Sequence, residues 1–389
     1  MQRTTGRYER SIAGSEAVSA FVPLPLPPRA PPLVLDGKIN ERLFAAEQAL
    51  ARLDLAGAMV PSLDWFLYAF VRKEAVISSQ IEGTQASLID LLVFESDDAI
   101  EPNADVEEVC NYLDALAFAR TELSKQDGLP LSMRLLNETH RRLMKGVRGA
   151  NKQPGEIRRS QNWIGGSRPG NAIHVPPPPL MLPDLLSELE HYIHTDDSVH
   201  PKLVRAGLLH VQFETIHPYL DGNGRIGRLL IALLLEQWGL LSAPLLYLSL
   251  FFKRHREEYY RRLNAVRLQG DWEGWLDFFL DGVATIADEA VTSAREIFIL
   301  VSQDRARVLA QETTSVSTVR LFEHLSDHPI VSVASAIKLL NTSKPTATRA
   351  VETLIATGVL VETTGKKRDR SFAYQAYLDK VRTGTEVER

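Results

Sequence analysis

The side chains best suited to chemistry lie together in residues 217–228, which read HPYLDGNGRIGR. Gly222 and Gly224 permit unusual backbone angles and the close approach of a phosphate. Arg225 and Arg228 are spaced to lie on neighbouring faces of one helical turn, where they can clamp a polyphosphate with charge-assisted hydrogen bonds. These residues predict an anion-binding segment.

The same segment carries two titratable side chains and an amide. His217 has an ordinary pKa of about 6.5, which suits a general base that takes a proton from a hydroxyl. Asp221 offers a hard oxygen ligand for Mg²⁺, which usually takes one or two carboxylates together with substrate phosphates. Asn223 tolerates the left-handed backbone region and can donate from its amide. Base, metal ligand and anion cradle together predict phosphoryl or nucleotidyl transfer, without the GxxxxGK[ST] spacing of a P-loop.

An apolar run follows the segment and predicts a buried helix. The residues at three- and four-residue spacing are Ile226, Leu229, Leu230, Leu233, Leu234 and Trp238. The segment then leads into a helix N-terminus, whose unpaired N–H groups and partial positive charge favour phosphate. Residues 229–252 have the length of a membrane span, but Glu236 lies within the run and Gly239 and Pro244 interrupt it. Two buried helices joined by a bend are the better interpretation.

Most of the chain up to about residue 310 has the periodicity of a helical bundle. Apolar residues recur at helical spacing in residues 41–57, 62–83, 104–123 and 131–147. Residues 155–179 differ, because short β-like runs around Trp163 and Ile173 flank a turn rich in glycine, proline and asparagine. This stretch predicts one β-hairpin on a helical protein.

Composition limits the classes of protein to consider. The chain has 389 residues and is 44% hydrophobic, so it is globular and long enough for two or three domains. A net charge of -5 gives no general attraction to nucleic acid or anionic membrane. The single cysteine, Cys110, excludes an internal disulfide framework and a cysteine-based zinc site. The polar N-terminus lacks the apolar region of a signal peptide, so we expect a cytoplasmic protein with no membrane partner.

The chain changes character from about Ser317 onward. Three helical stretches and two strands around a basic turn outline a winged helix-turn-helix. The predicted DNA contacts are Lys344, Thr346 and Arg349 on the recognition helix and Lys366, Lys367 and Arg368 in the wing. Winged helices also serve as protein-interaction or dimerisation modules, so DNA and protein are both retained as partners of this region.

Residues 217–228 resemble the signature of the Fic family, HPFx[DE]GNGRxxR, with Tyr219 in place of the usual phenylalanine. The resemblance implies an enzyme that transfers AMP from ATP to a serine, threonine or tyrosine hydroxyl of a target protein and releases pyrophosphate. It implies that His217 deprotonates the target hydroxyl and that Asp221 holds Mg²⁺ on the α- and β-phosphates. The implied ATP and phosphate contacts are Gly222, Asn223, Gly224, Arg225 and Arg228.

Two other stretches gain a role from this resemblance. Residues 155–179 are similar to the family's flap, which docks the target backbone in an extended register by strand addition. The flap residues are Trp163, Ile164, Gly165, Gly166, Ile173, His174 and Val175. Tyr259 and Tyr260 are candidates for contact with the nucleotide base, although aromatic pairs at this spacing usually belong to the core.

The stretch ISSQIEG, residues 77–83, is similar to the family's inhibitory motif [ST]xxxE[GN], with Ser78, Glu82 and Gly83 in the specified positions. Taken alone, the pattern also fits an ordinary helix end closed by glycine. The resemblance implies that Glu82 pairs with Arg228 and occupies the position of the γ-phosphate. A carboxylate paired with an arginine competes directly with a phosphate for the N–H donors of that arginine. We therefore expect an autoinhibited enzyme.

These observations predict a mainly α fold: a helical Fic-type bundle with a β-hairpin flap, plus a C-terminal winged helix-turn-helix. The predicted regions are a Pro-rich arm (1–38), a helical region with the inhibitory motif (39–125), a Fic catalytic core (126–310) and the winged helix (311–389). The predicted function is an autoinhibited protein adenylyltransferase that uses ATP and Mg²⁺. Removal of AMP from a target and nucleotide sensing by a DNA-binding regulator are the alternatives, and a homodimer is among the oligomeric states left open.

Overall fold

The computed structural model describes residues 3–59, 63–96, 101–146, 149–195, 199–365 and 370–387. These residues form a mainly helical protein with two small antiparallel sheets. No helix among them is long and apolar enough to cross a membrane. The predicted fold class is therefore confirmed for the helical bundle.

In the described part of the chain, a β-hairpin comes first and eleven α-helices follow it. Strands β1 (Gly6–Ala13) and β2 (Glu16–Pro23) pair over their full length around a turn at Gly14, where φ is 60°. The helices are α1 (Gly37–Met59), α2 (Leu63–Ile81), α3 (Leu88–Ser96), α4 (Ala104–Ser124), α5 (Met133–Leu143), α6 (Leu182–His194), α7 (Lys202–Ile216), α8 (Asn223–Gln237), α9 (Ser249–Arg254), α10 (Arg256–Gln269) and α11 (Trp272–Leu309).

The remaining elements run in the order helix, strand, helix, helix, strand, strand, helix. They are α12 (Val316–His324), β3 (Ile330–Ser332), α13 (Val333–Leu340), α14 (Lys344–Ala356), β4 (Val361–Glu362), β5 (Ser371–Ala373) and α15 (Gln375–Val381). Strand β5 lies between β3 and β4 and is antiparallel to both. The three predicted helices and two predicted strands of this region are present, and β3 and α15 are additional.

Helix α7 lies at the centre of the bundle, because every residue from 203 to 216 is buried. Its neighbour α8 buries the predicted apolar face, and the indole of Trp275 on α11 donates to the carbonyl of Gly207 over 2.9 Å. The predicted bend between two buried helices is confirmed, since α8 ends at Gln237 and α9 begins at Ser249. The two ends of residues 217–228 are thereby attached to deeply buried helices.

The strands differ from the sequence-based prediction. Residues 1–38 were predicted as a Pro-rich arm, and the structure adds to this prediction the hairpin of β1 and β2. The hairpin predicted within residues 155–179 is reduced to one isolated bridge between Ile164 and His174. Prolines 176–179 have no N–H to donate, and the glycines of this stretch favour turns over paired strands.

His210 illustrates how polar groups are accommodated in this core. It is fully buried on α7, where Nδ1 donates to the carbonyl of Gly227 and Nε2 accepts the hydroxyl of Tyr259. Burial lowers the pKa of His210 to about 3, with the carbonyl of Gly227 opposing the shift. The imidazole is therefore neutral in the folded protein.

Replacing His210 should change how stability depends on pH. Below pH 6.5 the unfolded chain binds a proton at this residue that the folded protein does not, so acid lowers the free energy of unfolding. From pH 7 to pH 5 the wild type should lose about 2 kcal/mol more than His210→Gln, measured by urea unfolding. His191→Gln, which removes an exposed histidine, is the matched control. Parallel profiles for His210→Gln and the wild type would contradict a neutral buried imidazole.

Candidate active site

The loop of residues 217–222 joins α7 to α8 and carries the start of the motif. His217 closes α7 in the left-handed conformation, with φ of 51°, and its N–H donates to the carbonyl of Phe213. Gly222 also has a positive φ, 78°, directly before α8 begins at Asn223. Two left-handed residues thus reverse the chain and aim the loop at the N-terminus of a core helix.

Asn223 uses its side chain to hold this loop. Its Oδ1 accepts the N–H of Tyr219 over 2.9 Å, and its Nδ2 donates to the carbonyl of Tyr219 over 2.8 Å. One N–H of this amide and its oxygen are therefore used within the loop, while donation to a phosphate by the second N–H stays a prediction. The backbone N–H groups at the start of α8 are the donors that face an anion.

Tyr219 anchors the loop from below. Its ring is fully buried and stacks on His140 with 3.9 Å between ring centroids, and its hydroxyl donates to Oδ1 of Asn137 over 2.8 Å. His140 Nδ1 accepts the N–H of Gly155, so Nε2 carries the proton and donates to the carbonyl of Asp221. Sequence reasoning missed His140, whose only signal was a histidine on the apolar face of a predicted helix.

Arg158 is a second residue that the sequence did not indicate. Its guanidinium is buried and donates from Nε to the carbonyl of His217 over 2.9 Å and from an Nη to the carbonyl of Pro177 over 2.7 Å. Its own N–H donates to the carbonyl of Pro218. Arg158 therefore joins the base of the predicted flap to the start of the motif.

The environment of His217 favours the neutral imidazole. Burial lowers the pKa of His217 to about 3, and the guanidinium of Arg158 acts in the same direction, while the carboxylate of Glu82 opposes it. The ring is ready to accept a proton at neutral pH, although it is a weaker base than the ordinary value predicts. Negative charge brought by a polyphosphate would raise this pKa.

The two motif arginines are buried and paired. Arg225 forms an ion pair with Glu108 of α4 over 3.1 Å, and Thr84 also donates to this carboxylate. Arg225 lies 3.9 Å from Oδ1 of Asp221. Glu108 was not predicted, because nothing local in the sequence distinguishes it from the other acids of α4. The pair orients Arg225 beneath the loop.

Arg228 binds three acceptors at the end of α2. It donates to Oγ and to the carbonyl of Ser78, over 2.9 and 2.8 Å, and to Oε1 of Glu82 over 2.8 Å. Burial alone would raise the pKa of Glu82, but the guanidinium of Arg228 outweighs it and holds this pKa below its usual value. Gly83 follows with φ of 99° and turns the chain away.

The backbone of Gly224 differs from the unusual conformation that was expected. It lies inside α8 with helical geometry, so it is not needed for an unusual backbone angle. A Cβ at this position would collide with the carboxylate of Glu82. The missing side chain leaves room for the Glu82 carboxylate beside Arg228, and the same room would admit a phosphate.

Asp221 is accessible and fits the role of a magnesium ligand. Its side chain is 44% exposed, and Oδ1 accepts the N–H of Gly222 over 2.6 Å. Among the described residues no three side chains of histidine, cysteine, aspartate or glutamate cluster as a metal site. A single carboxylate next to an anion cradle suits Mg²⁺, which keeps waters and uses substrate phosphates as ligands.

The predicted flap residues separate into exposed and buried sets. Trp163 is 40% exposed and Ile173 is 67% exposed, and Gly165 and Gly166 form the turn with positive φ. Ile164 is half-buried and forms the bridge to His174. His174 and Val175 are buried, and Nε2 of His174 donates to the carbonyl of Thr215 over 3.0 Å.

The two tyrosines proposed for the nucleotide base differ in exposure. Tyr259 is buried and bonded to His210, so the prediction of base contact is wrong for Tyr259. Its side chain points into the core because residues one apart on a helix face different directions. Tyr260 is half exposed, with the guanidinium of Arg256 5.9 Å from its ring centroid.

The hydroxyl of Tyr219 should contribute to stability. Tyr219→Phe matches the usual residue at this position of the signature but leaves Oδ1 of Asn137 without this donor, so we expect a loss of about 1 kcal/mol in the free energy of unfolding. Urea unfolding would measure it, with Tyr260→Phe as the control that removes a more exposed hydroxyl. An unchanged free energy for Tyr219→Phe would show that the Asn137 contact contributes nothing.

Comparison with known proteins gives the family. The Fic/DOC family N-terminal model matches residues 40–121, and the Fic/DOC family model matches residues 130–235. Protein adenylyltransferase Fic of Drosophila mojavensis is 29% identical over 215 residues, which cover 54% of this chain and 39% of that protein. The protein of the same name from Aedes aegypti is 29% identical over 317 residues, covering 78% and 57%. The chain thus spans about half the length of such relatives.

Solved structures share the fold. A Fic family protein from Desulfovibrio desulfuricans G20 superimposes with a TM-score of 0.55 at 20% identity, covering 88% of this chain and 97% of that one. A Fic domain containing signaling protein from Bacteroides thetaiotaomicron VPI-5482 gives 0.52 at 19% identity, covering 65% and 98%. With the motif assembled at the N-terminus of α8, residues 40–121 and 130–235 of this chain are identified as the N-terminal and Fic regions of the Fic/DOC family.

Proposed function

We propose that the protein is a protein adenylyltransferase, which moves AMP from ATP to a serine, threonine or tyrosine hydroxyl of a target protein. The observation that carries this proposal is the placement of His217, Asp221 and two arginines around the N-terminus of α8. The name of the curated relatives supports the same activity. ATP is then the second substrate, and the target is a protein with an exposed hydroxyl side chain.

His217 supplies the base for this transfer. Its neutral imidazole accepts the proton of the target hydroxyl as the hydroxyl oxygen attacks the α-phosphorus. The new P–O bond forms while the bond to the β-phosphate oxygen breaks, and pyrophosphate leaves with the electron pair. The exposed flap residues Trp163 and Ile173 are suited to hold the target backbone beside the loop.

The N-terminus of α8 supplies the electrostatic stabilisation. Its free N–H groups and the positive end of the helix dipole face the phosphates, and Arg225 adds a charge that Glu108 holds in place. Mg²⁺ held by Asp221 would neutralise part of the phosphate charge when bound. Tyr260 is the remaining candidate for contact with the adenine base.

We further propose that the protein is autoinhibited by Glu82. The carboxylate takes donors of Arg228 that a γ-phosphate would need, and it fills the space beside Gly224. A buried guanidinium requires a partner, so the inhibitory contact also stabilises the resting protein. Removal of the carboxylate would leave Arg228 oriented by Ser78 and free to bind phosphate.

Intact-mass measurement after incubation with ATP and Mg²⁺ tests both proposals. We expect a mass gain of one adenylyl group in Glu82→Gly, little or none in the wild type, and none in Glu82→Gly combined with His217→Ala. Glu95→Gly, which removes an acid paired with Arg72 away from the motif, is the matched control and should behave as the wild type.

The outcomes separate the alternatives. If Glu82→Gly gains no mass, the same proteins are incubated with lysate and labelled ATP to detect transfer to other proteins. Absence of transfer there, with release of AMP from adenylylated lysate proteins by the wild type, would replace transfer by the hydrolytic activity. Retention of activity in the His217→Ala combination would contradict the assigned base.

We propose that residues 311–389 form a winged helix that binds DNA, and that the protein acts in the cytoplasm. The order of helices and strands from α12 to β5 supports the winged helix. Lys344 and Arg349 on α14 are exposed and Thr346 is half-buried, so this helix can present a basic surface. The predicted wing residues Lys366, Lys367 and Arg368 lie outside the described residues. Dimerisation through this region stays a prediction.

Binding to random duplex DNA at several salt concentrations tests this role. Lys344→Ala and Arg349→Ala should each weaken binding and reduce the slope of log K against log salt by about 1, because each removes one phosphate contact. Lys380→Ala on α15, where the lysine pairs with Glu296, is the control. No binding by the wild type at low salt would favour the protein-interaction role instead.

A further inference from the structure

The segment that follows α15 packs back onto the catalytic bundle. Thr385 is buried, and the α-carbon of Gly384 lies against the side chain of Leu250 on α9, so closely that a Cβ would be 2.7 Å from it. We define residues 382–387 as the C-terminal tail. Its position is specific, because Gly384 has φ of 86° and the N–H of Thr385 donates to the carbonyl of Arg382.

Polar contacts join the tail to the inhibitory helix. Gln80 of α2 donates from Nε2 to the carbonyl of Thr385 over 2.9 Å, and its Oε1 accepts from Lys253 over 2.8 Å. Lys253 in turn donates to the carbonyl of Glu386 over 2.8 Å. Gln80, Lys253 and two tail carbonyls thus form one hydrogen-bonded group.

Gln80 lies between the two residues that hold Arg228. Ser78 and Glu82 are four apart and face Arg228 together, whereas Gln80 is two residues from each and faces the other side of the helix end. The carbonyl of Ile81 also accepts from Arg256. The end of α2 is therefore hydrogen-bonded to Arg228 on one side and to the tail and Lys253 on the other.

The tail is linked to the C-terminal region through α15. This helix packs on α2 and α11, and Tyr377 within it donates to the carbonyl of Ser326 near the end of α12. Tyr374, just before α15, donates to Asp304 of α11. A displacement of residues 311–381 would consequently move the tail and weaken its hydrogen bonds with Gln80.

We propose that the C-terminal tail is an intramolecular latch that holds the end of α2, and with it Glu82, in the inhibitory position. The inference rests on the proposed function for its activity readout. The latch can favour the inhibited state only through contacts that are absent from the active state. Its loss should therefore raise the transfer rate by about five- to tenfold, less than removal of Glu82 itself.

Gly384→Val tests the latch with the tail still present. A β-branched residue at positive φ, facing Leu250, disfavours the docked tail, while Thr383→Val changes an exposed neighbour and is the matched control. We expect faster hydrogen exchange at residues 78–83 and a five- to tenfold higher rate of adenylyl transfer in Gly384→Val only. In the Glu82→Gly background, Gly384→Val should add nothing to the rate.

Exchange at residues 382–387 reports whether the tail has left its site. A protein that ends after Val381 provides the same test if valine is accommodated. An undocked or absent tail with unchanged exchange at residues 78–83 would overturn the latch. Hydrogen exchange can be measured without any transfer activity, so it tests the latch separately from the proposed function. The proposed function is contradicted if neither the Glu82→Gly assay nor the lysate assay detects adenylyl transfer.

Discussion

The buried guanidinium of Arg228, in the second turn of α8, is the feature on which the site depends. The side chain of Arg228 stays protonated even when buried, because an arginine is always charged. A buried charge without hydrogen-bond or ion-pair partners is strongly unfavourable. Its acceptors all come from the end of α2, so the resting protein must keep that helix against the motif. The same charge that would hold a phosphate therefore organises the packing of the N-terminal helices in the absence of nucleotide.

The loop before α8 is stabilised in a complementary way. Its backbone carbonyls and N–H groups are satisfied by side chains from other elements, since the loop has no regular structure of its own. Asn223 bonds Tyr219, His140 bonds the carbonyl of Asp221, and Arg158 bonds the carbonyl of His217. Such cross-links leave the loop with one geometry, which is what a site that stabilises developing charge requires.

These constraints explain why the motif predicted the position of the loop correctly but did not predict all the contacts of its side chains. The motif was expected to bind an anion at a helix N-terminus, and the loop and α8 are located accordingly. The amide of Asn223 also bonds within the loop, the position of Gly224 also makes room for Glu82, and Tyr259 belongs to the core. Each difference arises because a polar or aromatic side chain found a partner that the sequence pattern does not reveal.

The linear pattern was sufficient to predict the helices, the buried face of α8 and the neighbouring positions of the motif residues. Helical periodicity and short motif spacings involve only neighbouring residues, so they can be recognised in the sequence without a structure. Tertiary packing decided the N-terminal hairpin, the low pKa of His217 and the pairing of Arg225 with Glu108. Arg225 and Glu108 are 117 residues apart and Arg158 and His217 are 59 apart, and only the folded chain brings such groups together. Burial and pairing over these separations set charge and pKa, which no local pattern contains.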